Sequence, residues 1–317
     1  MVQRILERGQ IETLASRAIP RVRLPDGQVF ARRAARLRQL AEGHAIGDYL
    51  RLMARVADAQ QAALGAAIDV TLPTEAAIAQ AAAHRMPPLA GAELGTGAWR
   101  GVLRAIADAL AAERGVPAAV GALATRLRAA PDEWIVLQAA ALLGGVASDS
   151  LDRAAAPFVM AALQVQWVAL ARTFTAERVA PLDVPGVCPL CGSLPVASIV
   201  HAQAPYQGYR YLHCALCASE WHRVRAQCSQ CGNGKQIGYY TLDAADGGPT
   251  IAADAAAVRA EACDECSSYR KIVYVEHDAA VEPVADDLAS LALDLLLGEQ
   301  GYHRASGNPL LWQAGEE

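Results

Sequence analysis

An α+β architecture is predicted: an N-terminal all-α domain, then a small β-rich region built as two tandem metal ribbons, then a C-terminal helix. Apolar residues recur at helical spacing from about residue 27 to 179. The chain then changes to short β-branched and aromatic segments. All eight cysteines lie in that second part, in four Cys-x-x-Cys pairs, with none before Cys188. At 317 residues the chain exceeds what one modest core usually serves, so a division is expected.

The helical reading starts at "QVFARRAARLRQLAEG", which sets Phe30, Ala34, Leu37 and Ala41 on one stripe and stops at Gly43. "GDYLRLMARVADAQQAALG" aligns Tyr49, Met53, Val56 and Gln60, with Leu52 beside them. Further helices are expected over Trp99 to Arg114, Pro117 to Arg128, Pro131 to Leu143 and Leu151 to Glu177, six or seven in all. Alanine is abundant and β-branched runs are scarce, so helix is the natural local state. Two prolines and a glycine in "ERVAPLDVPGVC", residues 177 to 188, mark the boundary. Beyond it "PVASIV", "YRYLH", "EWHRV", "QIGYYTLD" and "KIVYVEHD" read as strands, with "DAADGGP" as a turn. "EPVADDLASLALDLLLGEQG" reads as one closing helix. Pro283 stands near its first position, Asp286 and Asp287 near its positive end, and Leu288, Leu291 and Leu295 on one face.

Two residues between cysteines let one turn aim both sulfurs at a single ion, and Gly192 and Gly232 ease the backbone after "CPLC" and "CSQC". Two such knuckles make a tetrahedron of thiolates suited to Zn²⁺ or a single iron. The knuckles can pair in sequence, nested or interleaved. Gaps of 22 residues between Cys191 and Cys214 and 31 between Cys231 and Cys263 each hold strand material, while the 10 residues from Ala218 to Gln227 supply about one strand. Sequential pairing is therefore favoured: Cys188, Cys191, Cys214 and Cys217 in one site, Cys228, Cys231, Cys263 and Cys266 in another. The interleaved pairing stays open. So does the choice between a site that only holds the fold and one whose iron cycles. Thioredoxin-like dithiol chemistry needs a strand before and a helix after the pair, and "DVPGVCPLCGSLPV" offers neither.

Other side chains are given quieter roles. His213 and His222 flank sites that four cysteines already fill, so they are expected behind the ligands or at the surface. Trp221 is expected to cover the sites. Arg21, Arg23, Arg32, Arg33, Arg36 and Arg38 form a basic cluster offset locally only by Asp26. Such a cluster is a solvated helix face, a partner for the chain's own acidic half, or a contact for another protein. Residues 1 to 180 hold 20 arginines and 16 acidic residues (+4), and residues 181 to 317 hold 8 basic and 17 acidic (−9), for the total of −5. The cysteine-bearing half is thus acidic, which counts against a zinc-ribbon nucleic-acid binder. No phosphate loop, dinucleotide fingerprint, nucleophile elbow or Ser/His/Asp grouping stands out, so no catalytic residue is assigned. No apolar run is long enough to cross a bilayer, and "MVQRILERGQIE" lacks the apolar stretch of a secretory signal, so a cytoplasmic protein is expected.

With "CPLCGSLPVASIV", "YRYLHCALCASEWHRVRAQCSQCG", "VRAEACDECSSYRKIVYVEHD" and "EPVADDLASLALDLLL" in this order, the chain resembles the bacterial accessory proteins of formate dehydrogenase maturation. "FARRAARLRQLAEGHAIGDYLRLMARVADAQ" looks like the same family, and the likeness spans roughly residues 27 to 312. The resemblance implies two rubredoxin-like metal sites behind a helical domain. The expected divisions are then 1–180 for the helices, 181–226 and 227–278 for the two ribbons, and 279–317 for the closing helix and tail. It implies two mononuclear metal ions, iron favoured over zinc, held by the eight cysteines. It also implies action in the cytoplasm on the catalytic subunit of a respiratory, molybdenum-dependent formate dehydrogenase before that subunit is exported folded. An iron-based redox role on the same client is the alternative.

Overall fold

The computed structural model describes residues 19–311 except 67, 91–93, 95–96, 113–115, 145–149, 185 and 243–253. The turn expected at "DAADGGP" lies outside the described residues. A two-residue strand β1 (Val22–Arg23) comes first, followed by α1 (Val29–Leu40), α2 (Gly47–Gly65), α3 (Glu75–Ala83), α4 (Trp99–Ala112), α5 (Ala118–Ala129), α6 (Asp132–Gly144) and α7 (Ala156–Ala171). The Phe30, Ala34, Leu37 and Ala41 stripe is buried as its spacing requires, and so are Met53, Val56 and Gln60 on α2.

Helix α7 is the axis of this part, with 14 of its 16 residues buried. A helix apolar on every side belongs inside a core. It is shorter than the expected Leu151 to Glu177 helix. Pro157 stands in its first turn, the Asp152 carboxylate takes the amides of Ala154 and Ala155 (3.1 and 3.0 Å) in the turn before, and a 3₁₀ turn at Ala176–Arg178 follows. Helix α3 has no buried residue, so no apolar stripe announced it; Thr74 caps it by accepting the Ala77 amide at 3.2 Å.

The second part contributes β2 (Pro195–Val200), β3 (Arg210–Cys214), β4 (Glu220–His222), β5 (Ile237–Tyr240), β6 (Val258–Cys263), β7 (Ser268–Tyr274) and β8 (His303–Arg304). They make one sheet in the order β1-β4-β3-β2-β7-β6-β5, with β8 beside β7. The two expected ribbons are thus halves of one sheet, joined where β2 and β7 run parallel, Ser198 opposite Ile272 and Val200 opposite Tyr274. Strand β1 comes from the part expected to be wholly helical and pairs Val22 with Trp221 on β4. A two-residue strand leaves no alternation to read, so the sequence does not announce it.

The closing helix is two helices, α8 (Pro283–Ala289) and α9 (Leu291–Glu299), broken at Ser290. The Ser290 hydroxyl donates back to the carbonyls of Asp286 and Asp287 (2.7 and 3.2 Å), competing with the helical ladder. The break undoes the expected Leu288, Leu291 and Leu295 face: Leu288 is buried and Leu295 is 71% exposed. Leu293 and Leu297 instead pack on Ala260, Ala262 and Tyr269.

The basic cluster is resolved largely in favour of the chain's own acidic half. Arg33 on α1 pairs with Glu282 at 3.1 Å, and Arg36 pairs with Asp286 at 2.6 Å and Asp278 at 2.8 Å. Arg33, Arg36, Glu282 and Asp286 are all buried. Arg32 with Asp26 and Arg38 with Asp58 remain at the surface. One large core runs from Phe30, Leu50, Trp99 and Val159 through Leu190, Leu216 and Trp221 to Val284 and Leu288.

Candidate metal centres

Each Cys-x-x-Cys segment is a tight turn stitched by its own backbone. The Cys188 amide donates to Ser193 O (2.9 Å) and the Gly192 amide to Cys188 O (2.9 Å). Cys214 donates to Ser219 O (2.9 Å), and Cys228 to Asn233 O (2.8 Å). Amides also point at the sulfurs: Leu216 and Cys217 donate to Cys214 Sγ, both at 3.4 Å, and Gln230 to Cys228 Sγ at 3.3 Å. To close the turn, the residue after each second cysteine takes a positive φ: Gly192 (82°), Ala218 (55°), Gly232 (77°) and Ser267 (51°). Only the two glycines do so without steric cost.

The structure gathers the eight sulfurs into two groups of four, Cys188 with Cys191, Cys214 and Cys217, and Cys228 with Cys231, Cys263 and Cys266, all sulfurs of a group within 4.8 Å of one another. Across the knuckles Cys188 and Cys217 are 3.6 Å apart, Cys191 and Cys214 3.4 Å, and the pairs Cys228–Cys266 and Cys231–Cys263 both 3.7 Å. A tetrahedron of about 2.3 Å metal–sulfur bonds has edges of about 3.8 Å, so either group fits a zinc or a single iron with little adjustment. Burial pushes the Cys188 and Cys214 thiols well up, so four thiolates gathered there call for a cation among them. In the second group burial again opposes ionisation, but the amides of Cys231 and Gln230 bring the Cys228 thiol down to about 7.

His213 and His222 join neither group of sulfurs. His213 Nδ1 meets Glu220 Oε1 at 3.1 Å, and the other oxygen, Glu220 Oε2, takes His201 Nε2 at 2.7 Å and Arg23 Nη1 at 3.1 Å. Burial works against this carboxylate, yet the hydrogen bonds of His201 and His213, with the charges of His213 and Arg23, hold it well below the ordinary range. Glu220 therefore ties the edge strand β1 to the sheet beside the first centre. His222 stands edge-on to Tyr209 and Tyr211 (5.8 and 5.7 Å). Trp221 is buried in the same core as Cys214 and Cys217.

Three supporting side chains escaped the sequence reading. Gln164 on α7 donates to Ala215 O, inside the second knuckle, at 2.6 Å, and accepts from Arg33 Nη1 (3.1 Å) and Gln60 Nε2 (3.0 Å). Arg210 on β3 is fully buried; it donates to Gln227 O at 2.8 Å, just before Cys228, and faces Glu261 at 2.9 Å. Arg270 on β7 donates to Ser229 Oγ at 2.9 Å, just after Cys228, and to Pro195 O. Burial first, then the like charges of Arg210 and Arg304, pushes the Arg270 guanidinium down to about 9, so it stays charged at neutral pH. The signal that could have found Arg210 is a guanidinium amid tyrosines and a leucine in "YRYLH", whereas Arg270 sits among serines, a tyrosine and a lysine in "SSYRK" and carries no such mark.

Comparison with known proteins agrees along the whole chain. Family models described as "FdhE, N-terminal", "FdhE, central domain" and "FdhE, C-terminal domain" match residues 19–183, 187–225 and 226–311. A Pseudomonas aeruginosa protein named "Protein FdhE homolog" is 43% identical over 319 residues, covering 100% of both chains. An Escherichia coli "Protein FdhE" is 38% identical over 310 residues, 96% of each. The crystal structure of the FdhE protein from Pseudomonas aeruginosa superposes with a TM-score of 0.82 at 41% identity, over 93% of this chain and 100% of that one. Matched in all three parts of the family model, and by full-length relatives in sequence and structure, the chain belongs to the FdhE family.

Proposed function

We propose that this chain is a non-enzymatic accessory factor that binds the catalytic subunit of a formate dehydrogenase in the cytoplasm and assists its assembly before export. Family membership supports the client, and the pair of four-sulfur clusters carries the rest. On this reading each cluster holds one metal ion, Cys188, Cys191, Cys214 and Cys217 in the first and Cys228, Cys231, Cys263 and Cys266 in the second. Four thiolates suit zinc or iron alike, and the family resemblance favours iron. The metals brace a β surface whose own apolar core is small, and that surface, with the helical part, meets the immature subunit. Among the described residues no helix is long and apolar enough to cross a membrane, which suits a client met before export.

The test is assembly of formate dehydrogenase in a strain lacking this gene, together with co-purification of its catalytic subunit on the tagged chain. Active enzyme is expected to fall and to return with the wild-type gene; undiminished enzyme in the deletion strain would sink the proposal. Metal analysis of fresh protein assigns the ion. Iron gives a coloured protein that bleaches on reduction, whereas colourless protein with about two zinc ions removes the redox alternative.

A further inference from the structure

The two clusters share one geometry and differ in their surroundings. In the first, the inner residues of both knuckles are apolar, Pro189 and Leu190 in one, Ala215 and Leu216 in the other, and Leu190 and Leu216 are 0% and 4% exposed. The helical part closes over them. The Leu89 amide donates to Leu190 O at 2.9 Å, Gln164 holds Ala215 O, and a Cβ built on Gly192 would meet Pro87 Cγ at 3.4 Å. All four of its cysteines are buried.

In the second cluster the inner pairs are Ser229 with Gln230 and Asp264 with Glu265. Ser229 is buried under Arg270, but Gln230, Asp264 and Glu265 are exposed. Cys231 is itself exposed and Cys266 half-buried, while Cys228 and Cys263 are buried beneath them. Around Gly232, the partner of Gly192, a built Cβ would meet only the tip of Arg223, at 3.6 Å. The cluster that α9 makes against β6 and β7 is five buried residues with two tyrosines at its margin.

We propose that the second centre is the exchangeable one, with Cys231 the sulfur that an outside thiol displaces first, and that the first centre is closed to exchange and fixes the helical part to the sheet. This rests on the reading that both clusters hold a metal. In the exchange Cys231 gives up its bond, the incoming sulfur takes its position, and the proton of the incoming thiol ends on Cys231; no electron changes hands. An incoming sulfur can approach Cys231 from solvent in the folded state. At the first centre the 87–90 segment and α7 must move first, and openings of that size are rare.

The test uses the full chain reconstituted with zinc, which avoids any change of oxidation state. Release into excess dithiothreitol and a chromophoric chelator is followed in time, while brief iodoacetamide pulses and peptide mass spectrometry map which thiols become free. About half of the zinc is expected to leave quickly with Cys231 and Cys266 alkylated first, and the remainder on the order of a hundredfold more slowly, because it waits on sub-global opening. The Cys231→Ser variant should hold about one equivalent, released at the slow rate of the wild type, with the helical circular dichroism unchanged. Both equivalents leaving together, early alkylation at Cys188 or Cys214, or loss of both metals from Cys231→Ser each overturns the proposal while leaving the metal reading intact. A chain that takes up no metal under reconstitution overturns both.

Discussion

Ala218 and Ser267 occupy positions that their counterparts Gly192 and Gly232 fill without strain, at φ values of 55° and 51°. An L-residue held there costs about 1–2 kcal/mol, and glycine gives back part of that through its freer unfolded chain. Ala218→Gly is therefore expected to stabilise the protein by about 0.5–1 kcal/mol, read as a raised denaturant midpoint in the metal-loaded state; a lowered midpoint refutes the strain. Glu220 makes a second case. Its carboxyl is held below its ordinary 4.5, so the stability it supplies is fully present above that pH and disappears as pH falls through the lower, folded value. Glu220→Gln should cost about 2–3 kcal/mol at pH 7, because His201, His213 and Arg23 lose their carboxylate, and the gap from wild type should close in acid. A gap that does not change with pH counts against the account. Chemistry at this scale was legible to an unequal degree. The Cys-x-x-Cys spacing and the apolar or polar inner pairs stand in the sequence, but nothing local says that Glu220 would gather a histidine 19 residues before it, one 7 before it and an arginine 197 before it.

Elements show where pattern reading failed and why. Helices α1 and α2 announce themselves by a buried stripe and α7 by its apolar run, which leaves only its ends unmarked, whereas α3, without a buried face, has no periodicity to detect. Arg33 and Arg36 of α1 lie on the buried side because the acidic start of α8 packs against it, an alignment across some 250 residues that no local window contains. That interface makes a cycle to measure. Arg36→Leu should cost about 3–5 kcal/mol by leaving Asp286 buried without its partner, and Arg36→Leu with Asp286→Leu should recover most of it. Denaturation midpoints for the four proteins decide; a double variant no better than the single would dismiss the pairing as the source of stability. Strands β2, β3, β4, β5 and β7 are legible in β-branched and aromatic runs. Strand β6, "VRAEAC", is not, since alanine and glutamate carry little strand signal.

At the scale of the molecule, the two tandem ribbons join into a single sheet through β2 and β7, and the helical part owns the first centre as much as the sheet does. Its core includes Cys188, Cys191, Cys214 and Cys217 together with Leu37, Trp99 and Val168. Residues 19–183 alone should therefore fail to form a stable unit, despite holding all seven of the described helices before the boundary. Expressed separately, this piece is expected to show weak near-ultraviolet dichroism and strong dye binding; a sharp cooperative melt would contradict it. The parallel pairing of β2 with β7 and the burial of Arg33 and Arg36 against residues 249 and 250 positions later also set an order of events during synthesis. The first four cysteines leave the ribosome well before β7 and α8, so the first centre can gather its ligands while the helical part still carries two arginines without their carboxylates. Only the last-made segment neutralises them, and a chain cut short by even its final forty residues would betray itself by an open, charged seam that quality control can recognise.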